Sequence, residues 1–121
     1  MTEKSTPGEK SAASSADPIV TDPDKYKVVM ENDRVRVLEY RDSPGQKTKP
    51  HYHPDFVLCS LSLFTRTLTL LPENRSATRE VRTGDVAWSE AHSHIGENVG
   101  KTPTHVLIVE LKEPRSRTSG R

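Results

Sequence analysis

Cysteine is almost missing from this chain, since Cys59 is the only one among 121 residues. A single cysteine excludes an internal disulfide framework. No apolar run is long enough to span a bilayer, and the lysines near the N-terminus are not followed by the apolar segment of a secretory signal. Together these absences predict a cytoplasmic protein.

An excess of charge is lacking too, because 18 basic and 17 acidic residues leave a formal net charge of +1. Such a balance gives no strong field for nucleic acid or an anionic membrane, and we expect neither as a partner. The motifs of several enzyme classes are also absent. The chain has no phosphate-cradling glycine loop, no Cys-x-x-Cys and no Ser-His-Asp pattern with supporting motifs.

Hydrophobic residues are scarce, at 31% of the chain, and they are unevenly distributed. Residues 1–22 contain almost no large apolar side chain apart from Ile19 and Val20, and residues 114–121 are basic and polar. Segments of this kind cannot repay the entropy of ordering, so they predict disordered tails around one domain at 23–113. The core of so short a domain is small, and we expect a homodimer because association would enlarge it.

The residues between these tails have the period of strands. Polar and apolar side chains alternate along 34–41 and again along 60–71, and no ten-residue segment shows a capped helical stripe. Many short strands between close turns predict an antiparallel all-β sandwich or barrel. The remaining predicted strands are 49–58, 78–82, 86–89 and 105–111, and the predicted turns are 43–45, 72–76 and 83–85.

Histidines are the main chemical feature of the sequence. His51 and His53 are separated by one residue, so on a strand their side chains point to the same face. His94, from a distant segment, can complete a set of three nitrogen ligands, and imidazole binds zinc, iron, copper and nickel. The alternative is a polar pair on the solvated face of a sheet. A metal site is favoured because a glycine-led turn precedes each histidine segment, at Gly45 and Gly84.

These paired glycine-led motifs resemble those of the cupin superfamily, and in particular small single-domain bacterial cupins. The resemblance implies a jelly-roll barrel with a metal in its lumen, held by His51, His53 and His94. Cupins usually carry a glutamate ligand a few residues after the histidine pair, where this chain has Val57 and Leu58. A neutral ligand set would leave the charge of the metal less compensated. The runs that carry the resemblance are His51 to Asp55, Gly84 to Trp88, His94 to Asn98 and Thr102 to Leu111.

The same resemblance implies a metal-dependent enzyme that acts on a small molecule, with zinc or iron(II) as the divalent metal. It implies oxygenase, isomerase or lyase chemistry, or a rearrangement that forms a nitrogen–nitrogen bond beside a synthetase-like protein partner. The alternative is a non-catalytic module that binds a metal or a ligand. Glu90 is the candidate catalytic acid or base, although a solvated rim carboxylate is the competing interpretation. The sequence leaves open whether Asp55, Cys59 or His92 joins the site.

Overall fold

The computed structural model describes residues 16–112, and most of them lie in strands. One short helix precedes nine strands, and no helix in this part of the chain is long and apolar enough to cross a membrane. The elements are α1 (Pro18–Thr21), β1 (Tyr26–Glu31), β2 (Val35–Asp42), β3 (His51–His53), β4 (Phe56–Ser60), β5 (Phe64–Leu71), β6 (Arg75–Val81), β7 (Val86–Ser89), β8 (His92–Asn98) and β9 (Thr104–Leu111).

The strands form two antiparallel sheets that pack together as a barrel. The first sheet has the order β1-β2-β9-β4-β7 and the second has the order β3-β8-β5-β6. Gly45 and Gly84 lie in turns with φ of 88° and 93°, a region that glycine adopts without strain. The prediction of an antiparallel all-β barrel is therefore confirmed.

The apolar core belongs mainly to the five-stranded sheet. Of its seven buried members, only Phe64 comes from the four-stranded sheet. The inward face of the four-stranded sheet carries buried polar side chains beside its apolar ones, and these include two histidines of β3. The core residues are Tyr26, Leu38, Tyr40, Phe56, Phe64, Val106 and Ile108.

A buried ionic cluster fills another part of the interior. Arg66 Nη1 donates to Asp42 at 2.7 Å, and Arg66 Nη2 donates to the Tyr40 hydroxyl at 2.9 Å. The Tyr40 hydroxyl also bonds to Asp42, and Asn98 Nδ2 donates to the other Asp42 oxygen at 3.0 Å. Gly96 leaves space for the guanidinium group, because a Cβ there would lie 2.4 Å from Arg66 Nη2.

One predicted strand proves to be two. The segment 49–58 breaks at Pro54 and Asp55, so that β3 belongs to the four-stranded sheet and β4 to the five-stranded sheet. Because the chain crosses between sheets at this break, the alternation of inward and outward side chains does not continue from β3 into β4.

Val57 consequently faces outward. The prediction that it lies beside the metal site, where cupins usually carry a glutamate ligand, is therefore wrong. It pairs with Val109 on one side and Trp88 on the other, both on the outer face of the sheet. The inward residue is Leu58, which pairs with Ile108. A hydrophobic side chain therefore stands on the inner face of β4.

The N-terminal boundary also differs from the prediction. The sequence assigns residues 1–22 to a tail, but Pro18 and Asp22 are buried against the barrel. The Asp17 side chain caps α1 by accepting from the amide of Ile19 at 3.0 Å, and Asp22 accepts from the amide of Lys49 at 3.1 Å. A four-residue helix is too short to show a period. Residues 1–15 and the predicted tail 114–121 lie outside the described residues.

Candidate metal centre

Two short strands bring the histidines together. β3 pairs with β8 so that His51 lies opposite His94 and His53 opposite His92. Ligand nitrogens of His51, His53 and His94 all lie within 4.8 Å of one another, and the three residues are buried. This bound is compatible with the spacing of about 3–4 Å expected around a tetrahedral ion. The trio predicted from the sequence is brought together.

Two of the three rings are held through Nδ1 by oxygen acceptors. His51 Nδ1 lies 2.8 Å from the carbonyl oxygen of Lys49. A carbonyl oxygen only accepts, so His51 carries its proton on Nδ1 and keeps a lone pair on Nε2. His53 Nδ1 lies 2.7 Å from the Glu110 carboxylate, which has the same effect. Metal-binding histidines are typically oriented in this way by the nitrogen that faces away from the ion.

His92 fixes the proton of the third ring. His92 Nδ1 lies 2.8 Å from the carbonyl oxygen of Glu90, so this nitrogen donates and His92 Nε2 accepts. That Nε2 lies 2.7 Å from His94 Nδ1, which must then be the donor. His94 therefore also keeps its lone pair on Nε2. His92 contributes to the site by orienting His94 and is not one of the converging ligands.

Burial keeps the rings of His51 and His94 neutral. Burial, with a smaller effect from His53, lowers the pKa of His51 to about 4. Burial also lowers the pKa of His94 well below its ordinary value, and neighbouring histidines add to the effect. His53 Nε2 is buried and has no hydrogen-bond partner among the described residues. Three converging imidazoles, each held at Nδ1 and one of them with an unpaired Nε2, fit a divalent metal ion.

An ionic chain extends from His53 to the N-terminal helix. Arg36 Nη2 lies 2.8 Å from the Glu110 carboxylate, and Arg36 Nη1 lies 2.9 Å from the Asp17 carboxylate. Burial lowers the pKa of Arg36, but the bonds to Asp17 and Glu110 outweigh this effect and raise the pKa overall. Arg36 thus compensates the charge of the carboxylate that orients His53.

Tyr26 brings a hydroxyl group to the same cluster. Its oxygen lies 3.1 Å from His51 Nε2, and because that nitrogen carries the lone pair, the hydroxyl donates. The tyrosine ring packs against Tyr40 with ring centroids 4.6 Å apart. Burial, and then the neighbouring Tyr40, raise the pKa of Tyr26 well above its ordinary value, so the phenol is neutral.

The other candidate residues lie apart from the trio. Asp55 is buried and accepts from the amide of Ala91 at 2.8 Å, and Cys59 faces outward on β4. Neither belongs to the converging group. Glu90 is exposed, accepts from the indole of Trp88 at 3.0 Å and does not line the cavity that reaches the histidines. Its catalytic role stays a prediction.

A cavity of about 830 Å³ reaches the histidines from the surface. This volume lies within the range of small-molecule sites. His53, His94 and Tyr26 line it, and the exposed edge strands β6 and β7 also contribute, so the cavity opens between these two strands. Its walls are largely hydrophobic and include Leu58, Phe64, Leu68, Leu70, Val106 and Ile108.

Neither a family model nor a curated protein matches the chain, but solved structures do. A cupin domain from Bordetella pertussis Tohama I is 29% identical, with a TM-score of 0.66 over 73% of this chain and 92% of that one. The chain has the cupin fold. An RmlC-like cupin family protein from Methanocaldococcus jannaschii is 14% identical (TM-score 0.59, 77% and 84% covered). The polyketide cyclase RemF from Streptomyces resistomycificus is 22% identical (TM-score 0.55, 73% and 64% covered).

This chain presents no carboxylate from β4 to the trio, because the inward residues of that strand are Phe56, Leu58 and Ser60. Two carboxylates reach the cluster from other elements: Glu110 bonds to the outer nitrogen of His53, and Asp22 lies 3.9 Å from the outer nitrogen of His51. The three ligand atoms are therefore all uncharged nitrogens. Both carboxylates lie behind the imidazole rings, so neither contributes a ligand atom to the trio.

Glu110 and Tyr26 are among the residues at the site that the sequence analysis missed. Glu110 shares the inward parity of Val106 and Ile108 in a strand that is otherwise strongly apolar, and a charge at such a position was a usable signal. Tyr26 gave no comparable signal. It begins β1, whose register with β2 shifts between Val28 and Met30, so the alternation expected of a strand is interrupted.

Proposed function

We propose that this cupin is a metal-dependent enzyme that acts on a small oxygen-bearing anion inside its barrel. The main support is the convergence of three buried histidines, each oriented by a hydrogen bond at Nδ1 that leaves Nε2 available as a ligand. Imidazole suits both zinc and iron(II), which are our candidates for the ion. A bound divalent ion would supply Lewis-acid activation of a ligand oxygen.

The uncharged ligand set supports an anionic substrate. Because His51, His53 and His94 leave the charge of the ion uncompensated, a carboxylate or enolate would supply the missing negative charge. The hydrophobic walls of the cavity favour a substrate with an apolar body, and by excluding water they strengthen the electrostatic attraction at its inner end.

Several reaction classes share this requirement for an activated oxygen ligand. Oxygenase, isomerase, lyase and nitrogen–nitrogen bond-forming chemistry all remain within the proposal. A homodimer, a synthetase-like protein partner and a cytoplasmic location stay predictions from the sequence.

Elemental analysis of protein purified without a histidine tag tests the proposal. We expect about one zinc or iron per chain, and the variant His53→Ala should retain none because two imidazoles hold a divalent ion poorly. His105→Ala is the matched control, since His105 bonds to Glu39 at 2.6 Å outside the trio and its loss should leave the metal in place. Metal-free wild-type protein that also refuses added zinc and iron would reject the site. Stoichiometric metal without turnover of any anion tested would favour a binding module.

A further inference from the structure

The Tyr26 hydroxyl uses the lone pair that a metal would need at His51. The two groups are 3.1 Å apart, and His51 has only one lone pair because its Nδ1 proton is directed to the carbonyl of Lys49 at 2.8 Å. A hydrogen bond and a metal bond cannot both use that lone pair. Loading the site must therefore free the Tyr26 hydroxyl from His51.

The freed hydroxyl needs a new acceptor. Tyr26 is 7% exposed, and among residues 16–112 its hydroxyl bonds only to His51. A buried donor without an acceptor is unfavourable. Tyr26 lines the cavity, so a ligand atom in the cavity can take the place of His51.

The rest of the Tyr26 side chain is held in position. Its ring packs against Tyr40 at a centroid distance of 4.6 Å and meets the edge of His51 at 5.5 Å. Since these two contacts hold the buried ring, the hydroxyl stays near the trio whichever acceptor it uses.

We propose that Tyr26 transfers its hydrogen bond from His51 to an oxygen atom of the substrate when the site is loaded. This inference rests on the proposed metal site and names a residue that selects its ligands. The hydroxyl favours a carboxylate or an enolate, whose oxygen atoms accept hydrogen bonds. The hydroxyl forms no hydrogen bond with a ligand that lacks an acceptor atom beside the atom that coordinates the metal.

The variant Tyr26→Phe tests both steps, the release of the hydroxyl from His51 and its new bond to the ligand. Loss of the hydroxyl should raise the affinity for the metal and lower the affinity for the ligand. Without the hydroxyl, cobalt(II) has no competitor at His51, and we expect its affinity to rise about fivefold, the effect of one typical hydrogen bond. The cobalt-loaded variant should bind acetate about fivefold more weakly for the same reason. Binding of imidazole, which offers no acceptor once coordinated, should not weaken.

The visible absorption of cobalt(II) measures all three affinities in wild-type protein and in Tyr26→Phe. Tyr52→Phe is the control, because Tyr52 lies on the same strand as His51 but is 39% exposed. Wild-type protein also provides a test without substitution. The ¹³C shift of the Tyr26 Cζ, which responds to hydrogen bonding of the hydroxyl, should change when zinc is added and change again with acetate.

The outcomes distinguish this inference from the proposed function. Wild-type protein that takes up no cobalt overturns the metal site and this inference with it. Cobalt uptake with equal affinity in wild-type protein and Tyr26→Phe overturns the inference alone, as does acetate affinity that the substitution leaves unchanged. A Cζ shift that does not respond to acetate would do the same even if the variant folded poorly.

Discussion

Two buried polar clusters in this barrel are built on opposite principles. Around Arg66, donors meet acceptors within the cluster, since the guanidinium bonds to Asp42 and to the Tyr40 hydroxyl. Around His53, the network ends in a nitrogen without a partner among the described residues. A cluster whose polar groups are all hydrogen-bonded stabilises the fold. A cluster with an unpaired nitrogen instead offers a position where a ligand from outside the chain can bind.

The two clusters also differ in whether their charges are balanced within the chain. Burial raises the pKa of Asp42, but the bonds from Tyr40 and Arg66 outweigh it, so the pKa lies below its ordinary value and the carboxylate is ionised. Burial lowers the pKa of His51, so that ring is neutral. The Arg66 cluster balances its charges internally. The histidine cluster would gain its charge from a bound cation.

Asp42→Asn should have the largest effect on folding and almost none on metal affinity. The substitution keeps the shape of the side chain but leaves the Arg66 guanidinium without its ionic partner. Removing one member of a buried pair destabilises by about 3–5 kcal/mol. Urea unfolding measures this loss, and cobalt titration of the folded fraction should give the affinity of the wild-type protein.

The matched control for Asp42→Asn is Glu31→Gln. Glu31 pairs with Lys112 at 2.7 Å, but their side chains are 44% and 38% exposed. Exposed pairs contribute about 0–1 kcal/mol, so this variant should unfold near the wild-type midpoint. Equal losses from the two variants would contradict the distinction between the clusters.

The sequence predicted the histidine trio correctly because its signal depends only on the two-residue period of a strand. His51 and His53 lie within one strand, and that period holds there. It fails for Val57, because the chain changes sheets at Pro54 and Asp55 and the period restarts in β4. The strand predictions at 86–89 and 105–111 are confirmed by β7 and β9, and the burial of side chains alternates without a break along β9.

Which residue pairs with which histidine was beyond this kind of prediction. Glu110 meets His53, and Tyr26 meets His51, across strands that are distant in the chain. Which residues meet depends on the order of strands in the sheets, and a single sequence of short strands does not specify that order. The Arg66 cluster was missed for the same reason.

Acid should destabilise the metal-free protein through the histidine cluster. His51 takes up a proton near pH 6.5 when unfolded but only near pH 4 when folded. Between these values the unfolded chain binds more protons, so stability present above pH 6.5 falls as the pH is lowered, by about 3 kcal/mol in total. The pKa of His94 is lowered in the same direction and adds to the loss.

Urea unfolding between pH 7 and pH 4 measures this dependence. His51→Gln, which cannot take up a proton, should show a shallower loss than the wild-type protein. A wild-type midpoint that did not change over this interval would mean that the ring is protonated in the folded state, contrary to its burial.

Glu110→Gln should weaken metal binding while the fold persists. A neutral amide orients His53 less strongly and makes its ring less basic, and the loss of such an outer partner reduces metal affinity about 10–100-fold. Cobalt titration gives the value. Glu39→Gln is the control, because Glu39 bonds to His105 at 2.6 Å in a carboxylate–histidine pair outside the trio. If both variants bound cobalt as the wild-type protein does, Glu110 would have no orienting role.

The smallest effect is expected from Asp17→Ala, at the outer end of the chain of contacts that reaches His53. Asp17 caps α1 and bonds to Arg36 at 2.9 Å, and Arg36 in turn holds Glu110 at 2.8 Å. Loss of a helix cap costs about 1 kcal/mol, which lowers the melting temperature of a domain of this size by about 4–8 °C. Cobalt affinity should fall less than in Glu110→Gln, because Arg36 keeps its direct bond to Glu110. Asp24→Ala is the control, since Asp24 is 67% exposed and pairs only with its neighbour Lys25. If the melting temperature equalled that of the control, α1 would contribute no stability, as expected for the N-terminal tail that the sequence predicts.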